Sequence, residues 1–392
     1  MYDSDEFKDI APFEDSEFKE KMAELVTEPG FEHAVRYVMP DVDFPEFVNQ
    51  LLRVPNKEQF QIKVMGPFLE MLAKKTTAGV SITNLDRLSP DANYTFISNH
   101  RDIVLDASFL NLMFIRNGRR TSEVAIGSNL LILDWITDLV KLNKSFIVKR
   151  GLRITQALQA AKQLSAYIHY AITQKGESVW IAQREGRAKD SNDMTQDSLV
   201  KMLALAGGGS IIENLKAINL CPTSISYEYD PNDYLKAREF LMRRNNPEYK
   251  KSQRDDLFSM ETGLLQYKGH VNFSIGDCIN DELDKIDTTA LDKNELVHRI
   301  STIIDCAIHL GYHIYAVNYI AYDKVNKTET YIDRYSAEEV KKFEDYIESQ
   351  LAKVEIDEPS DDDMEYMRHM MYVMYANPLI NKLKASGCDI KD

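Results

Sequence analysis

Ile97-Ser98-Asn99-His100-Arg101-Asp102-Ile103-Val104-Leu105-Asp106-Ala107-Ser108-Phe109-Leu110 is the stretch on which the reading of this chain turns. It begins in an apolar run, YTFIS at 94–98, and passes through a polar turn. An apolar segment that reads as helix follows from about Ile103. Strand, polar turn and helix form one unit of an α/β sheet. The unit sets the His100 imidazole in the crevice outside the carboxyl end of a strand, where open α/β sheets hold their ligands.

Working outward, further β-rich runs occur at VSITNL (80–85), VAIG (124–127), SFIVK (145–149), VWIAQ (179–183), residues 217–226 and HVNFSI (270–275). Between them lie helical patterns such as ITQALQAAKQLSAYIHYAITQ at 154–174. Before this region, KEKMAELV, FEHAVRYV, FPEFVNQLL and KEQFQIKVMGPFLEMLAKK space their apolar residues by three or four, the helical period. After about residue 292 the same period returns in NELVHRISTIIDCAIHL, AEEVKKFEDYIESQLAKV and MEYMRHMMYVMYANPLINKL. The expectation is an α/β protein, a mixed sheet with helices on both faces. Residues 79–290 form its core, between an N-terminal helical module (1–78) and a C-terminal one (291–392). Met364, Met367, Met371 and Met374 fall on one helix face, read as core packing, and EIDEPSDDD at 355–363 as a solvated link.

Composition narrows the function. The 392 residues carry 47 Lys and Arg against 62 Asp and Glu, a net charge of −15 that repels a phosphate backbone, so nucleic acid is not an expected partner. The acidity is interrupted locally, at Arg116, Arg119 and Arg120 and again at Lys141, Lys144, Lys149, Arg150 and Arg153. No run of about 18 uncharged apolar residues is present, and the first residues, MYDSDEFKDIAPFED, are acidic where a secretory leader would be basic and then apolar. A cytoplasmic protein without a spanning helix is expected. Cys221, Cys278, Cys306 and Cys388 are too scattered for a disulfide frame or a zinc site. No G-x-S-x-G occurs, Gly207-Gly208-Gly209-Ser210 lacks the companions of a phosphate loop, and no histidine pair has ligand-like grouping, so no metal is expected.

The chemistry rests on the opening stretch. A carboxylate near His100 fixes the ring tautomer and stabilises the imidazolium, so the ring can take a proton from a hydroxyl as that oxygen attacks. Asp102 and Asp106 are both within reach in sequence.

Asn99-His100-Arg101 with an aspartate downstream resembles the first signature of the glycerolipid acyltransferase superfamily, N-H-x-x-x-x-D or H-R-x-x-x-D. The aspartate stands one place late, at Asp106, with Asp102 as the second candidate. Three more blocks follow in the family's order, and the resemblance covers roughly residues 80–280. Phe146-Ile147-Val148-Lys149-Arg150 resembles the second, and Trp180-Ile181-Ala182-Gln183-Arg184-Glu185-Gly186-Arg187 the third, its arginine one place early. Cys221-Pro222-Thr223-Ser224-Ile225-Ser226-Tyr227-Glu228 resembles the fourth, and Gly269–Phe273 a later strand of the same branch.

The resemblance implies an enzyme that moves a fatty acyl group from acyl-CoA or acyl-acyl carrier protein to a hydroxyl of glycerol-3-phosphate or 1-acylglycerol-3-phosphate. His100 would be the general base, paired with Asp106 or Asp102. Asn99, Arg101, Lys149, Arg150, Arg184, Glu185, Gly186 and Arg187 would bind the acceptor, with Lys189 available to share its phosphate charge and Pro222 on the donor side. No cofactor beyond the thioester co-substrate is implied. Because the products partition into bilayers, peripheral attachment to the inner face of a membrane is expected, through an apolar face such as LLILDWITDLV at 130–140. The Lys141–Arg153 cluster suits an acidic carrier protein or anionic lipid. The competing readings are a different acyl acceptor, such as an aminolipid or lysophospholipid, and an inactive lipid-binding homologue.

Overall fold

A computed structural model describes residues 2–387, and Cys388 lies outside them. Seven strands form one mixed sheet in the order β1-β7-β6-β2-β5-β3-β4. They are β1 (Gly79–Thr83), β2 (Thr95–Ser98), β3 (Glu123–Gly127), β4 (Ser145–Val148), β5 (Val179–Ala182), β6 (Leu220–Tyr227) and β7 (His270–Ile275). Each runs through one of the β-rich stretches of the sequence. β6, β2, β5, β3 and β4 run in parallel, whereas β7 pairs antiparallel with β6 and carries β1 with it. Five carboxyl ends therefore share one edge. β2 is buried along its whole length between β5 and β6, as expected of a parallel strand covered on both faces.

Two apolar layers sandwich the sheet. On one face Ile97, Phe146, Ile181 and Leu220 pack against the helices Ile154–Tyr170, Asp197–Leu203 and Lys293–Leu310. On the other, Phe96, Trp180, Val271 and Phe273 meet Leu69 and Leu72 of the helix Gly66–Thr76 and most of the helix Leu105–Arg116. Two further cores flank the sheet. Phe18, Phe31, Phe44 and Leu51 make an N-terminal cluster that also takes in Leu142, Trp135 and Leu139 of the helix Asp134–Leu142. Phe343, Ile347, Met367 and Met371 anchor a C-terminal cluster, with Met374 also buried, so the methionine stripe packs inside the protein.

The expected boundary near residue 290 is crossed twice by packing. The helix Lys293–Leu310 lies on the sheet, where the Ser224 hydroxyl donates to the Ile308 carbonyl at 2.5 Å. Conversely, Ala237 and Leu241 of the helix Asp233–Asn245 belong to the C-terminal core. The Gly207–Ser210 stretch breaks one helix from the next, and Ser210 caps the second through a capping box with Glu213. Arg116, Arg119 and Arg120 are all engaged within the protein, the first in a two-pronged pair with Glu70.

Candidate active site

The crevice begins where β2 leaves the middle of the sheet. Asn99 turns inward: its amide donates to the Ile225 carbonyl and accepts from the Ile225 amide, both at 2.9 Å, extending the β2–β6 ladder by one side chain. Asp102 then ends the turn. Its Oδ1 accepts from the amides of Val104 (2.9 Å) and Leu105 (2.7 Å), satisfying donors at the head of the helix Leu105–Arg116. Gly263 presses on its other oxygen so closely that a Cβ there would lie 1.9 Å away. Burial, and then the charge of Asp106, raise the Asp102 carboxyl above its ordinary range.

Asp106 occupies the first turn of that helix, and four groups converge on it. Oδ2 accepts from the amides of Arg101 (2.7 Å) and Asp102 (3.1 Å) and lies 2.8 Å from His100 Nδ1, while the Tyr227 hydroxyl donates to Oδ1 at 3.0 Å. With Nδ1–H directed at a carboxylate that only accepts, Nε2 is left as the basic nitrogen. The ring stands edge-on to Trp180, centroids 5.7 Å apart, and its side chain is 14% exposed. Asp106, not Asp102, is therefore the carboxylate touching the imidazole. The extra residue between His100 and its partner is taken up in the turn at 101–104.

The neighbouring strand ends bring up the next groups. β3 and β4 pair side by side, and the Arg150 amide donates to Ser128 Oγ at 2.9 Å across the two loops that follow them. The Arg150 guanidinium reaches Glu185 of the β5 loop at 2.9 Å, and both side chains remain partly open to water. Gly186 sits beside this pair with φ +68°, a left-handed backbone that glycine adopts without steric cost. Arg184 keeps a buried Nε without a partner.

Other residues singled out in the sequence face elsewhere. Lys149 is tied to Asp9 of the N-terminal segment at 2.5 Å and to Gln163 of the helix Ile154–Tyr170 at 3.0 Å. Arg187 is buried, and Lys189 pairs with Glu239 at 3.1 Å. Burial, with Arg187 adding, lowers the Lys189 ammonium to about 7. Pro222 lies within β6 opposite Ile97, one residue short of the end of β2.

Arg101 points to the inner side of the turn, where it pairs with Asp193 at 2.7 Å and lies over the Tyr312 ring. Its carbonyl accepts from Lys236 at 3.3 Å, and Lys236 in turn pairs with Asp230 at 2.5 Å, all in the interior. Tyr227, Asp193, Asp230 and Lys236 are the residues that sequence reasoning passed over. Tyr227 lies within the fourth block; Asp193 and Lys236 sit in a loop and a charged helix with no signal of their own. His309 donates from Nε2 to the Asp193 carbonyl at 2.8 Å, and among the described residues no cluster could hold a metal ion.

Residues 79–226 match the family model described as Acyltransferase, a span that contains His100, Asp106, Arg150 and Glu185. No curated protein matches the chain. Among solved structures, the chain resembles the crystal structure of the 1-acyl-sn-glycerophosphate (LPA) acyltransferase PlsC from Thermotoga maritima. That match has 11% identity and a TM-score of 0.37, and covers 73% of this chain and 94% of that one.

Proposed function

We propose that this chain, whose residues 79–226 match the Acyltransferase family model, transfers a fatty acyl group from acyl-CoA or acyl-acyl carrier protein to a hydroxyl of glycerol-3-phosphate or 1-acylglycerol-3-phosphate, at the cytoplasmic face of a membrane. The observation that carries the reading is the His100–Asp106 pair at 2.8 Å, with Nε2 left open at the carboxyl edge of the sheet.

In this mechanism Nε2 takes the acceptor hydroxyl proton while the oxygen attacks the thioester carbonyl. Asp106 holds the ring in its Nδ1–H form and stabilises the imidazolium. The tetrahedral intermediate collapses to the ester, and the proton passes from His100 to the departing thiolate. No acyl-enzyme forms. Arg150 receives the acceptor phosphate, because its fork pairs two oxygens at once and Glu185, being exposed, can yield its place or bind an acceptor hydroxyl. Asp102 serves the loop backbone rather than the proton.

A panel of acceptors with labelled acyl-CoA and acyl-acyl carrier protein tests this, run with wild type, His100→Ala and Asp102→Asn. Transfer confined to phosphate-bearing acceptors, abolished in His100→Ala and retained in Asp102→Asn, is the expected pattern. Equal transfer by His100→Ala and wild type, or inertness of wild type toward the whole panel, would overturn it.

A further inference from the structure

β1 and β7 present two different faces. Val80, Ile82, Val271 and Phe273 turn to the core that holds the helix Leu105–Arg116, and the alternate positions carry Ser81, Thr83, Asn272 and Ser274. On that polar face the helix Lys293–Leu310 covers β6, where Ser224 bonds the Ile308 carbonyl, and leaves β7 and β1 beside an open groove. The groove encloses about 490 Å³, the size of a small-molecule site. Its floor is hydroxyl and amide, with Thr83 and Asn84 at the strand end and Asn272 and Ser274 buried beside them. Ile303, Ala307 and Leu310 of the helix make the opposite wall. The groove lies away from the His100 crevice, because β1 and β7 run against β6 and end at the other edge of the sheet.

Its two ends differ in charge. At the inner end stand His313 and Lys382, the latter from the helix Asp361–Ser386. The Lys382 ammonium donates to the Tyr312 carbonyl at 2.5 Å and, among the described residues, pairs with no carboxylate. Burial lowers it below its ordinary range, and burial also lowers His313, with the Lys382 and His270 charges adding in the same direction. The outer end offers the carboxylates of Asp277 and Glu282, with Arg87 paired to Asp277 at 3.4 Å. In a chain of net charge −15, a half-buried ammonium without a counter-ion is a cost that a bound anion would offset. The Tyr312 ring is taken up under the Arg101 guanidinium, and no other phenol or indole lines the groove among the described residues, so a nucleobase would lack a stacking partner. Hydroxyls and amides on the floor suit the hydroxyls of a sugar.

We infer that this groove binds a sugar phosphate, with the phosphate at Lys382 and His313, the hydroxyls on Thr83, Asn84, Asn272 and Ser274, and the apolar edge of the sugar against Ile303 and Ala307. The site is a second one, independent of the acyl-transfer reading. Asp277 and Glu282 set the direction of entry, since they accept hydroxyls and repel the phosphate. Tyr312 joins the groove to the rear of the catalytic turn: its carbonyl holds Lys382, and its hydroxyl reaches Asp193, the partner of Arg101.

Equilibrium dialysis of the full chain with labelled glucose 6-phosphate and ribose 5-phosphate tests the site, with glucose and inorganic phosphate as competitors. Wild type is expected to bind at least one of the two sugar phosphates saturably, with each competitor weaker by about tenfold or more because it supplies only part of the contacts. Lys382→Met should weaken binding by about tenfold or more, and Thr83→Val, on the exposed strand, by about three- to tenfold. The second variant keeps the test open if the first fails to fold. Arg150→Gln should bind as wild type does, which separates the groove from the His100 crevice. Absence of saturable binding of both sugar phosphates to wild type overturns the inference, as does unchanged affinity in Thr83→Val and Lys382→Met. Binding lost in Arg150→Gln overturns it by moving the ligand to the crevice, and inorganic phosphate that competes as well as the sugar phosphates reduces the groove to an adventitious anion site.

Discussion

His100 and Arg101 are neighbours in one turn and meet opposite surroundings. The imidazole faces the crevice, holds one carboxylate on Nδ1 and leaves Nε2 open. The guanidinium faces the interior, sealed between Asp193 and Tyr312 in a layer that continues through Lys236, Asp230 and Asp233 to Tyr346 and Tyr375. The same polar residue types thus do two jobs a few ångströms apart. Half-open charge is available for proton transfer; sealed charge fixes the loop, because each member would be costly to leave without its partner.

Replacing one member on each side should separate the two roles. The largest effect is expected from Asp106→Asn, which keeps the side-chain shape but removes the charge facing His100. Turnover should fall by about 10² to 10⁴, with the circular dichroism spectrum and melting temperature little changed; a fall of less than threefold would break the contrast. On the inner side, Arg101→Met strands the buried Asp193 carboxylate and should cost about 3–5 kcal/mol of unfolding free energy. Adding Asp193→Leu should return part of that loss, and denaturant titration of the single and double variants measures it.

The sealed layer should also leave a trace in acid. Burial raises the Asp233 carboxyl from 3.8 to about 6, against hydrogen bonds from Tyr375 and Tyr346 that pull it down. The folded protein then binds more protons than the unfolded chain between those values. Its contribution to stability is therefore largest in acid and is lost as pH rises from about 4 to 6. Relative to wild type, Asp233→Asn should gain on the order of 2–3 kcal/mol over that interval, seen by following denaturant midpoints against pH; a difference that does not vary with pH would contradict this. The smallest change is expected at the open edge. Arg150→Lys keeps the charge but loses the fork, and should raise the acceptor KM by about tenfold with kcat held within a few-fold.

What could be read from the sequence follows the same division. The seven strands were legible because each is a short β-rich run bounded by polar turns, and the helix Phe44–Leu52 matches its apolar spacing residue for residue. The helix Asp233–Asn245 was not, since DYLKAREFLMRRN carries too many charges to display an apolar face; those charges are used inside, as with Lys236 and Glu239. The segment around Tyr319 shows no helical pattern in the sequence for a related reason. Its helix, Ala316–Asn326, packs on several sides and so lacks one apolar stripe. At the site, His100, Asp106, Arg150 and Glu185 each lie in a quoted block, so local pattern reached them. The hydroxyl of Tyr227, 121 positions from Asp106, and the Arg101–Asp193 pair exist only once the chain has closed on itself.

The Asn99 clamp gives that closure a direction in time. Both of its bonds go to Ile225, and Tyr227, two residues later, completes the shell around Asp106. A growing polypeptide that has displayed His100 and Asp106 but not yet β6 has neither support. During synthesis the dyad's geometry must wait for more than a hundred further residues, and no amino-terminal fragment ending before Leu220 can assemble it.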